Sequence, residues 1–370
     1  MSLDIIPFRQ AGKRKDKEAR KKFQQEVDHI ILHLICTRGV VPTLVDLPEW
    51  KELMAKLSAR YHPTSSTTFL TELKKHSNLT LTFDGTSTHK PQSLYTVHAT
   101  TPTHETYFLD GYEDSISRHT VDWIKEKLFK TINEIGAEKW AAICSDSTAV
   151  TKNSRREIVT SIPTMLDFND VCHHLHNTIK DIMTLECFRW MISLLKLIVK
   201  HFSKSTISVA HLHKERRVDG NDQTVNSLQK ISKTRFGTHW SAAVSLQQCL
   251  TNIKTLVEKK IVKFKNKKAH SVFTDWSLFG RLGCDLETYI TIVGPFICSL
   301  WSLEASHANA SDVFVFWLAI GASLKDLLKD KGTSMPSTVH DVEAIYNRRW
   351  KAFFNNDVYF TAFALDPHML

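Results

Sequence analysis

The chain has 370 residues, 42% hydrophobic and 24% charged, a globular mixture that excludes disorder over most of its length. At about 150 residues per domain it has room for two domains, or for one carrying a large insertion. Lys and Arg outnumber Asp and Glu to give +9 with neutral histidine, and a pI near 9.1 favours polyanionic partners such as nucleic acid.

With only 12 Gly and 10 Pro there are few obligatory turns, which predicts a largely helical chain. The seven cysteines are odd in number, scattered and never spaced C-x-x-C, which fits a reduced intracellular protein. The start, MSLDIIPFRQAGKRKDK, has no apolar signal region. The longest apolar runs, 313–324 and 291–303 with Pro295 inside, fall short of the roughly 18 residues of a membrane span. Neither a signal peptide nor a membrane segment is expected.

Residues 1–22 form a basic arm (Lys13, Arg14, Lys15, Lys17, Arg20, Lys21, Lys22), read either as a solvated terminus or as a nuclear-import or phosphate-contact segment. Residues 23–77 read as an N-terminal helical module. Phe23, Val27, Ile30, Ile31 and Leu34 recur at helical spacing, and a second helix is predicted from Pro48 to Tyr61.

Over 78–187 the period changes. Leu79, Leu81 and Phe83 alternate with Thr80, Thr82 and Asp84, a strand with one buried face. Strands over 93–99 and 105–110 complete an antiparallel meander. Val121, Ile124, Leu128, Ile132 and Ile135 then mark a helix capped by Gly136, and the apolar run 140–146 predicts a strand buried on both faces. A helix over 147–156, a fifth strand within 165–172 and a further helix give the order β-β-β-α-β-α-β-α. Such an order forms a mixed sheet in which the fourth strand can lie parallel to the first. Residues 188–370 read as mostly helical, apart from a polar stretch at 203–232 with a loop at 219–222.

Asp84 and Asp146 each end an apolar strand. If the first and fourth strands are neighbours, the two carboxylates meet and repel, and a divalent cation between them lets both stay ionised. Taken singly, each also suits a turn or a helix cap. The run 172–181 (CHHLHNTIKD) is dense in ligand types, but the second Cys/His pair of a structural zinc site is missing. Zinc is therefore not expected, and Cys172 with His174 or His176 is read as packing at the strand–helix junction. Lys152, Arg155 and Arg156, together with Lys233, Arg235 and Trp240, join cations to an aromatic ring as a DNA strand with a stacked base requires. The alternative is a core Trp240 and an ion-paired Arg235. Lys259 to Lys268 adds a basic helix face or groove contact.

The segments TFDGTST, ICSDSTAVTKN, CHHLHNTIKDI, SKTRFGTHW and RRWKAFFNNDVYFTAFALDPHML, in that order across residues 20–370, resemble the hAT superfamily of cut-and-paste DNA transposases, especially fungal hAT-like sequences. The resemblance implies a ribonuclease H-like catalytic domain interrupted by a large helical insertion, with Mg²⁺ or Mn²⁺ as cofactor, DNA as partner and the nucleus as location; homo-oligomers are left open. It aligns Asp84 and Asp146 with the first two acids of a D-D-E triad, and Arg235 and Trp240 with a basic-aromatic motif at the start of the insertion. Three departures stand out. Leu175 occupies the expected histidine position of the Cys-x-x-His motif, an amino-terminal zinc finger is not found, and the third acid of the family lies beyond Leu370. Glu304, in LWSLEASHA, is the most conspicuous downstream acid, as a weak candidate for the third ligand or as a locally paired helix residue. The expected function is a transposase-derived DNA-binding protein with incomplete catalysis. The alternatives are a non-enzymatic nucleic-acid-binding or assembly protein that keeps the fold, and a helical scaffold.

Overall fold

A computed structural model describes residues 18–28, 30–31, 42–57, 71, 73–87, 93–113, 119–218, 228–232, 236–305, 307–329 and 336–368. Most of the basic arm, with Lys233 and Arg235, lies outside them. The chain divides into two compact units, 1–170 and 171–370. Helix 171–183, grouped with the sheet in the sequence reading, counts with the second unit.

In the first unit, a helical segment over 18–28, a 3-10 turn Pro42–Asp46 and helix α1 (Pro48–Leu57) share a small core of their own, with Ile31 and Val45 buried against Phe23, Val27, Trp50 and Met54. The rest is a five-stranded sheet in the order β3-β2-β1-β4-β5. Strands β1 (Leu79–Ser87), β2 (Ser93–Thr100) and β3 (Thr106–Glu113) form the antiparallel meander, and β4 (Trp140–Ser145) and β5 (Leu166–Asn169) add in parallel beside β1. Helices α2 (Val121–Ile135) and α3 (Ala149–Ser161) make the crossovers. The alternation in β1 puts Leu79, Leu81 and Phe83 into one core with Val97, Ala99, Ile124, Leu128, Ile132, Ile143 and Ile158, so both helices cover the same face. Helix α2 starts at Thr120, whose hydroxyl accepts from Trp123 N, and ends at Gly136, whose φ of 118° carries its N–H back to the Ile132 carbonyl.

The second unit is helical: α4 (Val171–Met183), α5 (Glu186–Lys204), α6 (Thr206–Val218), α7 (Gly237–Glu258), α8 (Lys267–Thr274), α9 (Trp276–Leu303), α10 (Ala310–Lys329), α11 (Pro336–Phe353) and α12 (Val358–Leu365). Helix α9 packs against α4, α5, α7, α8 and α10. By length and composition it could cross a membrane, which the reading of short apolar runs does not register; half of its most apolar window is buried in the protein. Helix α6 falls in the stretch expected to be irregular. Its stripe is thin, with Leu212 as the fully buried apolar residue, but Ser205 caps it by accepting from Ser208 N at 3.2 Å, and packing on α7 supplies what propensity lacks. The predicted strand over 165–172 closes at Asn169, and Cys172 belongs to α4.

Candidate functional site

The two candidate acids sit on neighbouring parallel strands, though not both at strand ends as expected: Asp84 lies inside β1, which runs on to Ser87, and Asp146 directly follows the last residue of β4. Along β1 and β4, Leu79 pairs with Trp140, a bulge follows, and Thr80, Leu81 and Thr82 pair with Ala142, Ile143 and Cys144. This register ends at Thr82–Cys144, two residues before each acid, and alternation along β1 puts Asp84 on the face of Thr82. Asp84 is exposed and Asp146 half-buried. The Tyr95 ring lies across Gly85, where an added Cβ would meet its Cζ at 2.9 Å, so a side chain there would displace the phenol. Burial raises the Tyr95 pKa above its ordinary value, and the charges of Asp146 and then Asp84 raise it further. One phenol thus senses both carboxylates.

Asp146 is held by the first turns of α3. Its Oδ1 accepts from Thr151 Oγ1 at 2.5 Å and from Thr148 Oγ1 at 3.5 Å, and Thr148 caps the helix through Thr151 N. The Asp146 carbonyl accepts from Thr151 Oγ1 at 3.0 Å and from Arg155 Nη1 at 2.7 Å. Arg155 is 0% exposed. Its Nε donates to Asp167 Oδ1 at 2.6 Å, Nη1 to the Ser145 carbonyl and hydroxyl, and Nη2 to Asn169 Oδ1 at 2.6 Å. The expectation that Arg155 reaches DNA is therefore corrected: its donors are spent joining β4, β5 and the Asp146 loop. Of its neighbours, Lys152 is half-buried and Arg156 exposed, so these two keep side chains at the surface.

In the second unit the Cys/His run resolves into separate roles. His174 is 6% exposed, between the rings of Phe353 at 4.8 Å and Trp317 at 5.6 Å, with Nε2 3.0 Å from the Arg349 carbonyl. Burial lowers its pKa to about 4, so it is neutral at ordinary pH. Cys172 is half-buried. His176 Nε2 lies 3.6 Å from Glu304 Oε1, just past the end of α9, and the Glu304 side chain is 44% exposed. Glu304 is therefore not the helix-interior, locally paired residue of the alternative reading: it follows α9 and its neighbour lies on α4. Nearby, Asp181 accepts from Arg348 Nη2 and Arg349 Nη2, each at 2.7 Å, which ties CHHLHNTIKDI to the RRW segment. Sequence reasoning missed this clamp, since nothing local pairs residues so far apart.

Trp240 is also committed to the fold. Its Nε1 donates to the Ile290 carbonyl of α9 at 2.9 Å, and its ring packs edge-on to Trp301 at 5.6 Å. The bond falls beside Pro295, which leaves the Thr291 carbonyl without its helical donor. Trp240 is half-buried and anchored to α9, as the packing alternative expected. Lys233 and Arg235 fall outside the described residues. Among those residues no group of three or more His, Cys, Asp or Glu converges on a metal position.

Residues 64–198 match DUF659, a domain of unknown function associated with hAT-family transposases. The match spans the whole sheet, α2 to α4 and most of α5, and suggests a hAT transposase-related protein. No curated protein matches the chain.

Proposed function

We propose that the chain is a transposase-derived DNA-binding protein whose sheet is a ribonuclease H-like core, with Asp84 and Asp146 as a site for Mg²⁺ or Mn²⁺. The observation that carries this reading is the parallel pairing of β1 with β4, in register up to Thr82–Cys144, two residues before each acid. The strand order, with a meander on one side and parallel crossovers on the other, and the DUF659 match support it. Two carboxylates are hard oxygen donors of the kind that suits a small divalent cation. When bound, that ion supplies neutralising charge and an acidified water or 3′-hydroxyl for in-line phosphoryl displacement.

The chain's own residues orient the site. Thr151 and Arg155 fix the Asp146 loop, and the Tyr95 phenol, whose pKa burial and both acids raise, stays protonated at neutral pH. Lys152 and Arg156, on the helix that follows, supply positive charge for a phosphodiester, and the place of action is the nucleus. Two carboxylates hold metal less firmly than three, so cleavage is weak or lost while binding persists. The second reading, a non-enzymatic DNA-binding or assembly protein, draws on the finding that no third candidate ligand joins the acids among the described residues.

Plasmid nicking decides between them. Nicking that needs Mg²⁺ or Mn²⁺ and falls at least about a hundredfold in Asp84→Asn and in Asp146→Asn supports the metal site. Salt-sensitive DNA binding indifferent to EDTA and to both substitutions, with no nicking, supports the second reading. Failure to bind DNA at low salt sinks both and leaves a helical scaffold.

A further inference from the structure

Three adjoining hollows on the second unit form a trough. The first, about 460 Å³, is lined by His213, Lys214 and Arg217 of α6. The next, about 380 Å³, shares Ala210 and His213 with it. The third, about 590 Å³, shares Ser203 and Lys230 with the second and is walled by Lys196 and Lys200 of α5. Among the described residues, five cations (Lys196, Lys200, Lys214, Arg217, Lys230) line the trough and no acid does. None of the five forms an ion pair among the described residues; the nearby acid Glu215 is paired with Lys259 instead, at 2.6 Å. Lys196 and Lys200 stand one helical turn apart, about 6 Å between Cβ atoms, a spacing that suits successive phosphates of an extended strand. The floor between the cations is apolar, with Phe202, Val209, Leu228 and Phe236.

At the end of the third hollow lies His239, 3% exposed, with neither ring nitrogen hydrogen-bonded. The Phe236 ring stacks on it at 6.2 Å. Burial, and then Lys196, lowers its pKa to about 4; the Phe236 carbonyl opposes the shift without standing in hydrogen-bond geometry. A neutral imidazole offers one N–H and one lone pair, the complement of a base edge and not of a phosphate. A buried polar ring without partners is costly to keep, and a ligand that satisfies it recovers that cost.

We propose that this trough binds a single-stranded polynucleotide, with Lys196, Lys200 and Lys230 on successive phosphates, Lys214 and Arg217 continuing the track, and His239 reading the edge of a base that lies against Phe236. The site is independent of Asp84 and Asp146, and takes from the reading above only the expectation that nucleic acid is the partner.

The test is fluorescence anisotropy of the full chain with a labelled mixed-sequence 20-nucleotide DNA in EDTA, across a salt series. A Lys196→Ala/Lys200→Ala/Lys230→Ala variant is expected to bind at least tenfold more weakly, with the salt slope reduced by about 2, since a single-strand phosphate contact contributes about 0.7. Replacing the same three by Arg should restore binding, which separates lost charge from lost folding. His239→Phe should weaken binding severalfold with the salt slope unchanged. The proposal is overturned if the alanine variant keeps wild-type affinity and slope, if the matching duplex binds more tightly than the single strand, or if inorganic polyphosphate competes as well as the oligonucleotide per phosphate. Asp84→Asn/Asp146→Asn should bind the single strand as the parent does. Loss of nicking with intact binding thus concerns the carboxylates alone, and loss of binding in the lysine variant concerns the trough alone.

Discussion

Arg155 and Asp167 form an ion pair, Nε to Oδ1 at 2.6 Å, in which the arginine side chain is completely removed from solvent and the aspartate is 28% exposed. The same guanidinium serves the Ser145 and Asp146 carbonyls and Asn169, so it is the common partner of β4, β5 and the loop that carries Asp146. Arg155→Met should destabilise the protein by about 3–5 kcal/mol, because it strands several buried acceptors at once. Arg155→Lys should recover little, a single ammonium being unable to reach them all. Urea denaturation measures both, and a loss under about 1 kcal/mol for the methionine variant would show the brace to be dispensable.

Tyr95 reports on the aspartate pair without any catalytic assay. Since Asp146 and Asp84 both raise its pKa on top of burial, Asp84→Asn/Asp146→Asn should bring the phenol down toward its ordinary value, and saturating Mg²⁺ on the parent should act in the same direction. Titration of a tyrosine-labelled sample by NMR, with Tyr95→Phe to assign the signal, reads both. A Tyr95 pKa that ignores the substitutions would place the carboxylates away from the ring.

His174 makes the second unit sensitive to acid. Its pKa near 4 lies below the unfolded value near 6.5, so its contribution is complete above pH 6.5 and is lost as the pH falls through 4. The shift corresponds to roughly 3 kcal/mol. His174→Phe keeps an aromatic body between Trp317 and Phe353, and should flatten the fall in denaturation midpoint between pH 7 and pH 4. An unchanged pH slope would mean that the ring is not buried as described.

Asp285 has the opposite sign. Burial raises its pKa despite Arg281, whose Nε stands 3.6 Å away, and Oδ2 has no hydrogen-bond donor. Proton binding favours the folded state, so stability from this group is full below the ordinary carboxylate pKa and declines as the pH rises through the raised one. Asp285→Asn is expected to stabilise the chain at pH 7, on the order of 1 kcal/mol, and to make no difference near pH 3. Thermal melts at the two pH values check it.

The sheet was legible because its signals are local. Alternation over 79–83, a doubly apolar run over 140–143 and a glycine cap at 136 each need one element at a time. The side chains that contradict their expected roles depend on neighbours that no window contains. Trp240 is explained by the carbonyl of Ile290 near a kink in another helix, and Asp181 by two arginines near the end of the chain. Arg155 is a partial exception. It shares the inward stripe of α3 with Thr151, Ser154 and Ile158, all buried, while Arg156 points out, so helical spacing alone separates the two arginines. Lys196, Lys200 and Lys230 escaped notice for a related reason: the first two share α5 but Lys230 lies well apart in the chain, and only the fold assembles their charge.

The bulge between Leu79 and Thr80 sets the reading frame of the two strands. Asp84 and Asp146 share the offset of the Thr80–Ala142 pair and not that of Leu79–Trp140, so without the extra residue on β4 the acid of β1 would stand opposite Ser145. Deleting Ala141 would leave composition, charge and hydrophobic content almost untouched, yet would rotate either the acid or its whole strand to the wrong side of the sheet. Across descendants of this gene, insertions and deletions in these two short stretches should therefore disappear earlier than point substitutions wherever the paired acids still matter, and accumulate freely wherever they do not.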